Sequence, residues 1–277
     1  MAAVRGGRRG PLILVGTSGY AYSDWKGTFY PPRLPDGDRL AWYAARFPAL
    51  EVNFTYYRLP KPRQLAAMAD AGGGLTLTVK ACGTMTHDGT AGEGDYRSFR
   101  EALEPVADRG LLGCVLAQFP WAFRPSKESR AALLKIRDGL GPFPLVVEFR
   151  HSSWAVEETF VFLRDGNIGF CAVDEPRLRG LFPPLAEVTS PIAYVRFHGR
   201  NGRAWWRHEK PHERYEYLYR RSQLEEWLPR IQAMDDRAER TFLFANNHFG
   251  GNATVNAAML MEMTGAEGPA PTASGSG

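Results

Sequence analysis

The 277 residues are 44% hydrophobic and 23% charged, a globular balance that excludes a disordered chain and suffices for one large core or two modest domains. Against 34 basic residues stand 30 acidic ones, and the net charge of +4 is compatible with an anionic partner without demanding one. Cys82, Cys114 and Cys171 are odd in number, widely spaced and set in apolar runs, which argues against a disulfide framework or paired-cysteine zinc site and for buried free thiols.

Basic residues precede the first apolar run, residues 12–16, which is too brief for a secretory core and reads as a strand. Further strand patterns follow at 50–54, 75–80, 113–119, 145–149, 168–173, 193–197 and 241–245. Helical spacing lies between them. One helix opens at Asp95, with Phe99, Leu103 and Val106 on one face, and closes at Gly110. Another opens at Ser126 and ends at Gly139, and Ser222 with Glu225 forms a capping-box pattern ahead of Trp227 and Ile231. No apolar run approaches the roughly 20 residues that cross a bilayer, so the expectation is a cytoplasmic protein without membrane contact. Beyond Thr264 the sequence is rich in small residues, Pro, Gly and Ser. The expected organisation is a single domain over 11–263, with flexible termini at 1–10 and 264–277.

Eight strands with mostly helical connections match an α/β fold, a single (β/α)8 TIM barrel with a disordered C-terminal tail. A doubly wound open sheet shares that rhythm and is the competing architecture. Read to their C-terminal ends, the strands deliver Thr17, Asn53 behind Glu51, Lys80, Gln118, Glu148 with Arg150, Asp174, Arg196 with His198, and Asn246 with His248. In a closed barrel these residues converge on one mouth, where active sites of this fold are built. The bland alternative is a buried ion-pair network, which adds little stability for its desolvation.

Two loops point to an anion. Gly250 and Gly251 precede Asn252, a good helix cap, so free amides and a helix dipole would face a ligand. The seventh loop carries Arg200, Arg203 and Arg207 beside His198 and His208. Trp25, Trp121, Trp154, Trp205 and Trp206, with Tyr20, Tyr22, Tyr56 and Tyr57, fall after strands, where they either stack on rings of a ligand or staple loops.

The blocks GTSGYAYSDWKGTFYP, EVNFTYYRLP, VKACGTMTH, LAQFP, VEFRHSSW, AYVRFHGR and FANNHFGGNA occur in order from residue 15 to about 260. Together they resemble the YecE-like family, catalogued as domain of unknown function 72. Phe54 departs from the pattern, standing where a small polar residue is expected. The resemblance implies a TIM barrel similar to endonuclease-IV-like and xylose-isomerase-like enzymes and, by that analogy alone, nucleic acid as a ligand. It carries over no catalytic residues.

Chemistry must therefore be read from the residues. There is no G-x-S-x-G elbow, phosphate-binding G-x-x-x-x-G-K-[ST] or G-x-G-x-x-G motif. His87, Glu148, Asp174, His198 and His248 are metal-ligand types, yet the neighbouring cations disfavour a divalent metal, and none is assigned. General acid–base catalysis fits best, with Glu148, Asp174, His198, His248 and Lys80 as catalytic candidates. Asn53, Tyr57, Gln118, Arg150, Arg196, Arg200, Asn246, Asn247, Gly250 and Gly251 are the substrate-binding candidates. The expectation is a hydrolase or phosphodiesterase-like enzyme acting on an anionic, phosphate-bearing small molecule or nucleic acid. A non-catalytic binder of nucleic acid or small anions is the alternative.

Overall fold

The structure is a computed structural model that describes residues 12–210, 213–266 and 268–269. The flexible ends expected at 1–10 and over most of the tail lie outside the described residues. Eight strands run β1 Leu12–Ser18, β2 Ala49–Val52, β3 Thr76–Lys80, β4 Leu112–Gln118, β5 Leu145–Glu148, β6 Gly169–Asp174, β7 Ile192–Phe197 and β8 Arg240–Ala245. Each pairs in parallel with the next, and β8 pairs with β1, closing the barrel and excluding an open sheet. The strands are apolar on both faces because one face fills the barrel and the other meets the outer helices.

Those helices are α1 Arg39–Ala44, α2 Pro62–Ala71, α3 Gly83–Thr86, α4 Glu93–Ala107, α5 Lys127–Leu140, α6 Glu157–Asp165, α7 Arg221–Glu225, α8 Leu228–Asp235 and α9 Asn252–Thr264. Ser126 caps α5, its Oγ accepting from the Ser129 amide at 3.1 Å, and Gly141 closes that helix two residues past the expected end. Helix α4 begins two residues before Asp95, whose carboxylate accepts the Gly92 amide at 2.9 Å and so serves the cap from inside. The helix expected after Ser222 is two helices. Pro229, without an N–H to continue the ladder, starts α8, and the capping bond of α7 joins Gln223 to the Arg220 amide at 3.0 Å. Between β6 and β7, residues 175–191 form a loop without a helix.

Register fixes which side chains enter the barrel. Ser18 pairs with Glu51, Glu51 with Thr78, Gln118 with Glu148, and Val173 with Arg196. These residues share the inward phase. Beneath them Tyr194, Phe242 and Phe244 fill the interior, with the Tyr194 and Phe244 rings 5.3 Å apart. Gly16 makes the β1–β2 approach feasible, since a Cβ there would lie 1.9 Å from the Ala49 carbonyl oxygen. Gly16→Ala should therefore destabilise the protein by about 1–3 kcal/mol or more, read as a lowered urea midpoint.

Candidate active site

At the C-terminal ends of the strands a cavity of about 590 Å³ opens into the barrel mouth. Glu51, Asn53, Lys80, Gln118, Arg150, Arg196 and Asn246 supply most of its polar lining, and Tyr20, Tyr22, Phe54, Tyr56, Tyr57 and Tyr215 its aromatic walls. His248 also lines it, its ring stacked on Tyr22 at 4.3 Å with 1° between planes. The five tyrosines arrive on loops because the strands end below the mouth, and loop side chains must complete it.

Arg196 organises the floor. One guanidinium nitrogen donates to Glu148 Oε2 at 2.6 Å, and the other to Glu51 Oε1 at 2.7 Å, Ser18 Oγ at 3.3 Å and Asn246 Oδ1 at 3.3 Å. Glu51 also accepts from Tyr194 at 2.7 Å. Arg150 Nε lies 2.5 Å from Glu148 Oε1, and its Nη1 lies 3.2 Å from Glu175 Oε2. His198 Nδ1 accepts from Asn246 Nδ2 at 2.8 Å, an amide whose oxygen is already fixed by Arg196, so the imidazole proton belongs on Nε2, 3.2 Å from Glu148 Oε1.

This packing sets the charges. Burial alone would raise Glu148, but Arg150 and Arg196 hold its carboxyl well below the usual range. Burial, reinforced by Arg150, drives His198 down to about 3, so it is neutral at physiological pH. Burial raises Glu175 to about 7 despite Arg150, and its Oε1 accepts the Phe182 amide at 3.0 Å. Lys80 falls to about 8 through burial and the nearby Arg196 charge. Among the described residues its direct contacts are neutral, Gln118 Oε1 at 3.0 Å and the Tyr56 ring at 4.6 Å. Both guanidiniums on the floor are held by carboxylates; the lysine is not.

Several expected site residues lie elsewhere. Asp174 shares the outward phase of Phe197 and points into the layer between barrel and helices, not into the mouth. There it accepts from Arg200 Nε at 2.8 Å and Nη2 at 2.7 Å, Tyr219 at 2.7 Å and the Trp227 indole at 2.6 Å. Arg200 is thereby committed outside the cavity, and it also binds Glu226 at 2.9 Å. Asn247 is buried and ties Tyr217 O to Asn256 Oδ1, at 2.7 and 2.8 Å. At the glycine turn the anion is internal, for Gly250 N–H donates to Asp24 at 2.7 Å. The Gly251 amide is used by the His248 carbonyl at 3.2 Å, and Gly251 itself, with φ 86°, is the cap of α9 in place of Asn252. Thr17 faces outward to the Tyr43 hydroxyl at 3.0 Å.

Glu175, Ser18 and Tyr215 belong to the site and were not expected there. For Glu175 the signal was present, because Cys171, Val173 and Glu175 continue one phase of β6. Trp25 and Trp154 are staples, donating to the His248 and Phe123 carbonyls at 2.7 and 2.9 Å. All three cysteines are free and buried. Among the described residues no group of three or more His, Cys, Asp or Glu side chains is placed to hold a metal ion, and no helix is long and apolar enough to cross a membrane.

Known proteins share this framework. A DUF72 family protein (TM1631) from Thermotoga maritima MSB8 superimposes with a TM-score of 0.84 at 39% identity, covering 91% of this chain and 98% of that one. A DUF72 family protein (EF0366) from Enterococcus faecalis V583 matches with a TM-score of 0.83 at 24% identity, over 94% and 98% of the two chains, a likeness of fold. The UPF0759 protein YunF of Bacillus subtilis (strain 168) is 28% identical over 273 residues, covering 91% of this chain and 94% of its own. The model described as "Protein of unknown function DUF72" matches residues 14–275, nearly the whole polypeptide, and the chain accordingly belongs to the DUF72 family.

Proposed function

We propose that the protein is a hydrolase acting on a small, phosphate-bearing substrate that carries a ring. The observation that carries this reading is Lys80, a cavity cation with neutral direct contacts, set under tyrosine walls. An anion beside Lys80 meets charge that no carboxylate among the described residues contacts directly, and a ring packs on the tyrosines. The buried Asn53 Oδ1 has no hydrogen-bond partner among the described residues and suits a substrate hydroxyl.

The roles differ from a two-carboxylate scheme. Glu148 is held ionised by two arginines, and Asp174 lies outside the barrel, so neither exchanges protons with a substrate in the mouth. Lys80 is the proton donor. A water oxygen bonds to phosphorus, the bond to the leaving oxygen breaks with its electron pair, and that oxygen takes the lysine proton. The proton lost by water passes to solvent through the open mouth, and the amine is reprotonated from solvent.

The test is a panel of phosphomonoesters and phosphodiesters with wild type and Lys80→Met. The variant should lose about 10²-fold or more in kcat while keeping its fold by circular dichroism. Wild-type kcat should fall as pH rises through about 8, where the lysine surrenders its proton. Undiminished turnover in Lys80→Met overturns the lysine's role, and no turnover in wild type across the panel overturns the hydrolase reading. Steeply salt-dependent binding of nucleic acid without turnover would favour a binder instead, a role that the 84% exposed Tyr57 at the rim suits.

A further inference from the structure

A second cavity of about 250 Å³ adjoins the first. The two share Gln118, Arg150 and Tyr215, and the smaller one is completed by His87, Trp121, Trp206 and Arg214 among others. Trp121 is anchored, its indole donating to the Gly180 carbonyl at 3.0 Å while Arg124 lies 4.7 Å over its ring. Trp206 meets it edge-on at 5.6 Å and remains 51% exposed. A half-exposed indole held by a neighbouring ring can serve as a platform for a flat ring.

The shared ridge of Gln118 and Arg150 adjoins the charged residues of the larger cavity. Gln118 accepts from Lys80 at 3.0 Å and turns its amide nitrogen to the Phe119 carbonyl at 2.7 Å, which fixes its orientation. Arg150 is clamped between Glu148 and Glu175. Lys80 therefore stands beside the boundary between two ring-accepting spaces.

We infer that the two cavities are adjoining subsites for a single ligand, a phosphodiester joining two ring-bearing units, with its phosphate over the Gln118–Arg150 ridge. This rests on the hydrolase reading and narrows it from phosphate esters in general to diesters. One unit lies among the tyrosines of the larger cavity, and the other stacks on Trp206. Hydrolysis of the bridging phosphorus–oxygen bond consumes one water and leaves a monoester in one subsite and an alcohol in the other, the lysine proton passing to the alcohol oxygen.

The experiment compares bis(p-nitrophenyl) phosphate and adenylyl-adenosine with p-nitrophenyl phosphate, using wild type, Trp206→Ala, Trp206→Phe and Lys80→Met. Binding is followed by tryptophan fluorescence alongside turnover. Wild type should use the diesters at least about tenfold more efficiently than the monoester. Trp206→Ala should raise KM for diesters by about tenfold and leave the monoester unchanged, and Trp206→Phe should restore most of the loss. Equal effects on both ester classes, or none on either, overturn the two-subsite inference while leaving the hydrolase reading intact. Absence of both binding and turnover for every ester in wild type removes both. Diester turnover that survives Lys80→Met but depends on Trp206 removes the lysine role and keeps the subsites.

Discussion

Arg196→Met should destabilise the protein by about 3–5 kcal/mol, because it strands buried carboxylates whose partner is gone. Glu51 and Glu148 are both fully buried, and Arg196 bridges them at 2.7 and 2.6 Å. Glu148 keeps Arg150 in the variant; among the described residues the Glu51 carboxylate keeps only the Tyr194 hydroxyl as a direct contact. Adding Glu51→Gln to Arg196→Met should therefore recover part of the loss, whereas adding Glu148→Gln should recover less. A urea-denaturation double-mutant cycle gives the comparison. Additive losses for Arg196→Met and Glu51→Gln would show that the bridge contributes nothing as a pair.

The second large effect is a hidden pH dependence. His198 sits at about 3 against an ordinary 6.5, so between those values the unfolded chain binds the extra proton and stability rises with pH. Glu175 sits at about 7 against an ordinary 4.5, so over that interval the folded chain binds the extra proton and stability falls as pH rises. From about pH 4.5 to 6.5 the two slopes, each about 1.4 kcal/mol per pH unit, oppose one another. Glu175→Gln should expose the histidine slope, losing about 2–3 kcal/mol relative to wild type on acidification across that window. His198→Gln should do the reverse, losing stability relative to wild type as pH climbs. Parallel curves for wild type and both variants would refute the assignment.

The barrel was legible because eight β-rich runs recur at the spacing that parallel strands and their crossovers require. The phase of each strand was less so. In β6, Phe170, Ala172 and Asp174 form one face, and Cys171, Val173 and Glu175 the other. Apolar residues occupy both, because a strand buried on both sides shows no alternation. Nearness to the strand end favoured Asp174; pairing with β7 selects Glu175. Lys80, Gln118, Arg150, Arg196 and Asn246 were found because they lie in the inward phase of their own strands or its continuation. The glycine turn misled for a different reason. A backbone donor facing a carboxylate reads the same whether the anion is foreign or is Asp24, 226 residues earlier. Arg200 shows the same ambiguity, its charge being consumed by Asp174 on the far side of the sheet.

That Asp24–Gly250 contact, with the Trp25 indole bound to the His248 carbonyl, bolts the earliest loop of the barrel to the latest. During synthesis β1 leaves the ribosome long before β8 exists, and its outer edge must wait, unpaired, for the final strand. Closure of the mouth thus waits for the last strand and its loop. A polypeptide cut short anywhere before Ala245 lacks a complete seam, so premature termination yields no partly working product, only an open sheet edge that invites chaperones or aggregation.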